Sequence, residues 1–200
     1  MPDPKTIAVY DIKASAYAEL AKGDAPDTDL QAFIDLMQRD AHVLDLGCGP
    51  ASASAYMRAA GLRPDPVDAS QGMVTLANDR HAIGARLATF DEISGNAIYD
   101  GIWANFSLLH AKRTELPHHL AALAAALKPG GIFHIGMKTG DGSARDRIDR
   151  YYTYVTVPEL RGLLQDAGLT VIAEREGAAP GLDGTVAPFV IMRARKDQNA

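Results

Sequence analysis

Asp45, Gly47, Cys48 and Gly49 lie in one short stretch, Val43-Leu44-Asp45-Leu46-Gly47-Cys48-Gly49, which passes from apolar residues into a glycine turn. Glycines there let the backbone bend sharply and let a ligand approach it closely. A helix that opens after such a turn presents unpaired N–H groups to a carboxylate or another polar ligand. Asp68 follows 21 residues after Gly47, at the end of the next apolar run. A carboxylate in that place accepts hydrogen bonds from the hydroxyls of a ribose.

Other residues offer reactive chemistry. His110 follows a fourth apolar run and is the best candidate for a general base, because its pKa range suits proton transfer near neutrality. The competing reading is a histidine that holds its turn by hydrogen bonds. Cys48, between two glycines and without a base at readable spacing, reads as a small buried thiol. His42, His81, His118, His119 and His134 show no HxxxH or similar spacing, so no catalytic metal is expected. Lys138, Arg145, Arg147, Arg150, Tyr151, Tyr152 and Tyr154 crowd one polar stretch, 138–155. Tyrosine and arginine together make rigid, hydrogen-bonding pocket walls, and arginines hold carboxylates or phosphates. Lys138, Arg147, Arg150, Tyr151 and Tyr152 are therefore the candidate substrate contacts. The alternative is a solvated loop in which Asp141, Asp146 and Asp149 pair with the arginines.

These residues must be positioned by an alternation of short apolar runs with helical stretches. Runs at His42–Leu46, Arg63–Asp68, Arg86–Phe90, Tyr99–Ala104, Ile132–Met137, Leu169–Ala173 and Val186–Met192 read as strands. Helices are expected at Ala51–Ala60, Gly72–Arg80 and Thr114–Leu127, and from a Thr156/Glu159 capping box through Ala167. The pattern predicts a Rossmann-like α/β fold: a seven-stranded, mainly parallel sheet with helices on both faces. The link between the last two strands, Glu174–Thr185, holds no helix, which predicts one antiparallel strand. Two helices, near Ile12–Ala21 and Asp29–Gln38, precede the sheet. One domain over 1–200 is expected, with 1–40 a helical lid, 41–195 the core and 196–200 a tail.

The 200 residues carry 20 basic and 25 acidic side chains, a net charge of −5, which argues against nucleic acid as a partner. One cysteine excludes an intrachain disulfide, no run of about 18 apolar residues predicts a membrane span, and the start MPDPKTIAVYDIK lacks the apolar region of a secretory signal. These features predict a cytoplasmic protein. They carry no signal for its oligomeric state.

Glycine turns of this kind serve dinucleotide oxidoreductases and methyltransferases alike. Three residues favour the second. Ser52 stands where a GxGxxG fingerprint needs its third glycine, Pro50 removes an amide donor, and Asp45 would repel a pyrophosphate but suit a cationic amino-acid group. VLDLGCGPA, VDAS, YDGIWANFSLLH and LKPGGIFHIGMK together resemble the class I S-adenosylmethionine-dependent methyltransferases, from about Val43 to Arg195. Ala51 departs from the pattern, where many members carry a third glycine. The stretch KTGDGSARDRIDRYYTYVTVPEL looks more loosely like a bacterial subgroup with small-molecule substrates.

The resemblance implies S-adenosylmethionine as cofactor, S-adenosylhomocysteine as product and a small-molecule methyl acceptor. It places Asp45, Gly47, Cys48 and Gly49 along the methionine moiety, and Asp68 at the ribose with Ala69, Ser70 and Met73 beside it. Phe90 and Asp91 would flank the adenine. Asn105, Phe106 and Ser107 would stand where cofactor meets acceptor. Plain core packing is the competing reading for Phe90, Phe106 and Met73, and a helix cap or solvated acid for Asp91. Apart from the resemblance, a tyrosine on the first helix, Tyr17 or Tyr10, is placed to close over the cofactor's carboxylate, with a core or surface role the competing reading. Two other function classes compete: a non-catalytic protein that binds S-adenosylmethionine for sensing, and an NAD(P)-dependent oxidoreductase.

Overall fold

The computed structural model describes residues 3–20 and 25–198, with the side chains of 17–20 outside the description. Asp3 starts the first helix, α1 (Pro4–Leu20): its Oδ1 accepts the Thr6 amide at 2.9 Å and the Thr6 hydroxyl at 2.7 Å. Pro4 fits the first helical position, where no amide proton is needed. Next come α2 (Thr28–Ile34), β1 (His42–Leu46), α3 (Ser52–Ala59), β2 (Arg63–Asp68), α4 (Gln71–His81), β3 (Arg86–Leu87) and β4 (Tyr99–Asn105). The chain continues through α5 (Leu116–Ala126), β5 (Leu127–Lys138), β6 (Ser143–Arg145), β7 (Tyr151–Thr153), α6 (Val157–Asp166), β8 (Leu169–Pro180) and β9 (Val186–Lys196).

Seven strands form one sheet in the order β3-β2-β1-β4-β5-β9-β8. β9 runs antiparallel to both β5 and β8; the other neighbours pair in parallel. This is the expected Rossmann-like sheet with one antiparallel strand. β8 and β9 are longer than predicted and meet in a long hairpin, with its tip at Gly181–Thr185. The strand order reverses between β1 and β4, and open α/β sheets bind ligands beyond the carboxyl ends of the strands at that switch.

Both faces are packed. Leu120, Leu123, Phe133, Ile135, Leu160 and Leu164 belong to the larger core, while Leu30, Phe33, Met57 and Trp103 fill the other side. The expected Thr156–Glu159 capping box opens α6, with Thr156 Oγ1 accepting the Glu159 amide at 3.3 Å. The two N-terminal helices part company. α2 carries fully buried Phe33 into the core against Trp103, whereas α1 lies across the ligand end of the sheet. The polar stretch after β5 is no simple loop: β6 and β7 pair as a small antiparallel hairpin.

Candidate active site

The glycine turn is held by its neighbours. Gly47 N and Cys48 N both donate to Val67 O at 2.9 Å. Gly47 has φ +71°, and a Cβ there would stand 2.5 Å from Ser107 Cβ. The backbone of β1 therefore passes the segment after β4 at a distance only glycine permits. Gly49 and Ala51 also have positive φ, at +53° and +57°, and carry the chain into α3.

Asp68 joins this turn to the next. Its Oδ2 accepts the Gly49 amide at 2.9 Å and its Oδ1 the Ser70 amide at 2.8 Å. Burial pushes its pKa up, against the amides that favour the charged form. Ser70 caps α4 by accepting the Met73 amide at 3.1 Å.

These residues floor a cavity of about 690 Å3, mouth included. Gly47, Gly49, Asp68, Ala69, Ser70, Met73, Phe90, Asn105, Phe106, Ser107 and His110 line it from the sheet side, and Asp3, Thr6, Ile7 and Tyr10 from α1. Asn105 is set by buried His134, whose Nε2 lies 3.1 Å from Asn105 Oδ1 and whose ring stacks on Trp103. Burial holds His134 neutral, so Nε2 is the donor. Phe106 adopts φ +57°, a strained conformation for a bulky residue. Its amide donates to Gly136 O at 3.1 Å, and its ring meets Phe189 edge-on.

Three of the expected cofactor contacts stand outside this wall. Asp45 is buried beneath the turn, where its Oδ2 accepts the Ser54 hydroxyl at 2.7 Å; burial raises its pKa to about 7. Its role here is to tie β1 to α3. Cys48 packs among Ala51, Val74, Ala77 and Ala85, and burial drives its thiol pKa upward, so it is neither wall nor nucleophile. Asp91 sits on the turn after Phe90 with its carboxylate 3.9 Å from His119 Nδ1. The side chain of Tyr17 lies outside the described residues; Tyr10, two turns earlier, is the α1 tyrosine over the cavity.

α1 is fastened at its start and at its middle. Asp11 Oδ1 accepts the Ser70 hydroxyl at 2.6 Å and the Gly72 amide at 2.9 Å, so it caps α4 from another helix. A side chain at Gly72 would collide with the Asp11 backbone at 2.9 Å. At the start of the helix Arg145 makes a two-bond pair with Asp3, and Thr6 Oγ1 accepts the Tyr151 amide at 2.8 Å. Between them Tyr10 stands 2.9 Å from His110 Nε2 and accepts from Arg150 Nη1 at 2.9 Å. Sequence reading missed Asp3, Thr6 and Asp11. Only the Asp3-Pro4-Lys5-Thr6 helix start carried a local signal.

His110 Nδ1 lies 2.6 Å from the Tyr151 carbonyl, so Nδ1 carries the proton and Nε2 accepts from Tyr10. Burial, outweighing that carbonyl, lowers its pKa to about 4. Neutral at physiological pH, it has its lone pair engaged.

A second cavity adjoins the first across Tyr10, Phe106 and His110. Lys138, Arg150 and Tyr152, three of the five candidate substrate contacts, line it, together with Leu109, Phe189 and Pro180–Leu182. Arg147 and Tyr151 do not. Arg147 is exposed on the turn where Asp149 N donates to Asp146 O, the turn that folds Arg150 inward. Tyr151 spends its backbone on Thr6 and His110, and Arg145 lies over its ring. Among the described residues no cluster of three or more His, Cys, Asp or Glu is placed to hold a metal, and no helix is long and apolar enough to cross a membrane.

A family profile described as a methyltransferase domain matches residues 17–174. The malonyl-[acyl-carrier protein] O-methyltransferase of Salmonella typhimurium is 30% identical over 127 residues, 62% of this chain and 50% of that protein. The chain spans about half the length of the curated relatives it matches. Among solved structures, the 1,6-didemethyltoxoflavin-N1-methyltransferase of Burkholderia thailandensis, with 1,6-didemethyltoxoflavin and S-adenosylhomocysteine bound, superposes with a TM-score of 0.68 at 27% identity. That match covers 95% of this chain and 88% of that one. The [4+2]-cyclase SpnF shares the fold at a TM-score of 0.76 and 16% identity, covering 98% of this chain and 97% of that one.

Proposed function

This chain belongs to the methyltransferase-domain family, and we propose that it transfers the methyl group of S-adenosylmethionine to a small molecule, releasing S-adenosylhomocysteine. The observation that carries the reading is Asp68. It closes β2, is locked by the Gly49 and Ser70 amides, and faces a glycine-floored cavity at the sheet's switch point. Each carboxylate oxygen has a further lone pair for a ribose hydroxyl.

The residues fit that cofactor. The Gly47–Gly49 backbone is the close-approach surface for its amino-acid end, and Phe90 and Met73 offer apolar walls to its base. When bound, the cofactor supplies a sulfonium methyl that is already activated, so the protein's task is alignment and exclusion of water. α1 covers the cavity, and Phe106 borders both cavities where an acceptor would meet the methyl. Asn105, held by His134, fixes that wall. His110 acts as a positioning residue for Tyr10.

The small-molecule acceptor is supported by a second cavity that adjoins the first, and by the 1,6-didemethyltoxoflavin bound to the Burkholderia thailandensis enzyme. The net charge of −5 argues against nucleic acid, and the single buried thiol suits a reducing cytoplasm. The test is transfer of labelled methyl from S-adenosylmethionine in a metabolite extract. Label in the small-molecule fraction is expected. Label confined to protein or nucleic acid rejects the acceptor class, and unconsumed cofactor rejects the transfer.

A further inference from the structure

We propose that the first cavity holds the carboxylate of S-adenosylmethionine without a cation, on the Asn105 side-chain amide and the Ser107 hydroxyl; this rests on the methyltransferase reading above. Among the described residues no lysine or arginine lines that cavity, so the anionic group of the cofactor must meet neutral donors. The cofactor brings positive charges of its own, a sulfonium and an ammonium, which an arginine in the wall would oppose.

The other side-chain donors of the wall are spent, and so are the amides of the glycine turn. The Gly47 and Cys48 amides donate to Val67 O, and the Gly49 and Ser70 amides to Asp68. The Ser70 hydroxyl donates to Asp11, the Thr6 hydroxyl to Asp3 and His110 Nδ1 to the Tyr151 carbonyl. The Tyr10 hydroxyl gives its proton to His110 Nε2 and accepts from Arg150, so it has none for a carboxylate. Acceptors are not scarce: the Asp3 and Asp68 carboxylates line the same cavity and suit an ammonium or hydroxyls. The cofactor's carboxylate is the group that needs the remaining donors.

Asn105 ends β4, and Gly136 of β5 leaves room for its amide: a Cβ on Gly136 would stand 2.7 Å from Asn105 Oδ1. His134 Nε2 donates to that Oδ1 at 3.1 Å, which leaves Nδ2, without a partner among the described residues, for the cavity. Burial, with the charges of Arg193 across the β5–β9 pair and of Arg175, holds the His134 ring neutral. Ser107 is 6% exposed, and its buried Oγ makes no hydrogen bond, although the residue opens the turn Leu108–His110 that a serine would ordinarily cap. A buried hydroxyl left unpaired is costly, and a ligand oxygen removes that cost. A Cβ on Gly47 would stand 3.4 Å from this Oγ, so the hydroxyl lies against the glycine that the cofactor's amino-acid end approaches.

Calorimetry on the full chain compares S-adenosylhomocysteine with 5′-methylthioadenosine, which keeps the adenosine and the thioether but lacks the amino-acid end. The parent should bind S-adenosylhomocysteine more tightly. Asn105→Asp keeps the acceptor for His134 and exchanges the amide donor for a second acceptor. It should weaken S-adenosylhomocysteine about tenfold or more, the worth of a hydrogen bond to a charged group, and leave 5′-methylthioadenosine unchanged. Ser107→Ala should weaken S-adenosylhomocysteine severalfold and again leave 5′-methylthioadenosine unchanged. It should not lower the Tm of the unliganded protein, because it removes a hydroxyl that bonds nothing. Equal affinity of the parent for the two ligands, equal weakening of both in a variant, S-adenosylhomocysteine binding unchanged in either variant, or binding tightened by Asn105→Asp overturns the proposal. A parent protein that binds neither ligand overturns the methyltransferase reading instead, so the two failures are told apart.

Discussion

The hydroxyl of Tyr10 stands 2.9 Å from His110 Nε2 and fills the lone pair that a basic histidine would need. With Nδ1 held on the Tyr151 carbonyl at 2.6 Å, both ring nitrogens are engaged between the covering helix and the hairpin. His110→Ala should therefore loosen the cover rather than remove a proton acceptor. The turnover number should fall less than the ~10²–10⁴-fold typical of losing a general base, and S-adenosylhomocysteine affinity should fall with it. A thousandfold loss of turnover with intact cofactor affinity would restore the base reading.

Asp11, the residue after Tyr10, fastens the middle of α1. Asp11→Ala removes the acceptor of the Ser70 hydroxyl and the Gly72 amide. Loss of a helix cap costs about 0.5–2 kcal/mol, and part of that appears as weaker cofactor binding because the same helix closes the cavity. Calorimetry should show severalfold weaker S-adenosylhomocysteine binding, while the KM of the acceptor moves less.

Gly47 and Gly84 both have positive φ, +71° and +75°, but only Gly47 faces an obstacle. Alanine at either site incurs backbone strain of about 1–3 kcal/mol. At Gly47 the new Cβ also drives into Ser107, so Gly47→Ala should lower Tm well below Gly84→Ala in thermal melts and displace the cavity wall. Equal melting temperatures would mean that the turn has slack.

Asp45 gives a pH signature. Its folded pKa of about 7 lies above the ordinary carboxylate value of 3.8, through burial outweighing the Ser54 hydrogen bond. The unfolded chain therefore loses this proton first. Asp45's contribution to stability is full below about pH 4 and is lost as pH rises through about 7. Asp45→Asn keeps the Ser54 hydrogen bond and cannot ionise. Its Tm, measured against the parent from pH 4 to 8, should gain progressively and level off above about pH 8. A constant difference across that range would show that Asp45 titrates normally.

Local signals located much of this molecule. The apolar runs marked all seven strands of the main sheet, the glycine turn marked one wall of the first cavity, and Thr156 with Glu159 marked the start of α6. The Glu174–Thr185 link foretold the antiparallel strand because a short connection cannot cross the sheet. What escaped notice depends on residues distant in sequence. Asp3 meets Arg145, Thr6 meets Tyr151 and Tyr10 meets Arg150, each pair more than 130 residues apart. The three-residue strands β6 and β7 are too short and polar to show a period of two. Arg147 and Arg150 look alike in the chain, and only the turn between them sends one to solvent and the other into the cavity.

The proposed hold of Asp68 on the ribose of S-adenosylmethionine, and of the glycine turn on its amino-acid end, both under α1, is tested most directly by calorimetric titration with S-adenosylhomocysteine. The parent protein should bind one equivalent. Asp68→Asn, which keeps the shape and removes the charge, should lose roughly 1.5–3 kcal/mol, the worth of a hydrogen bond to a charged group. That is about one to two decades in Kd. No heat at millimolar ligand, or a Kd unchanged by Asp68→Asn, would contradict the account.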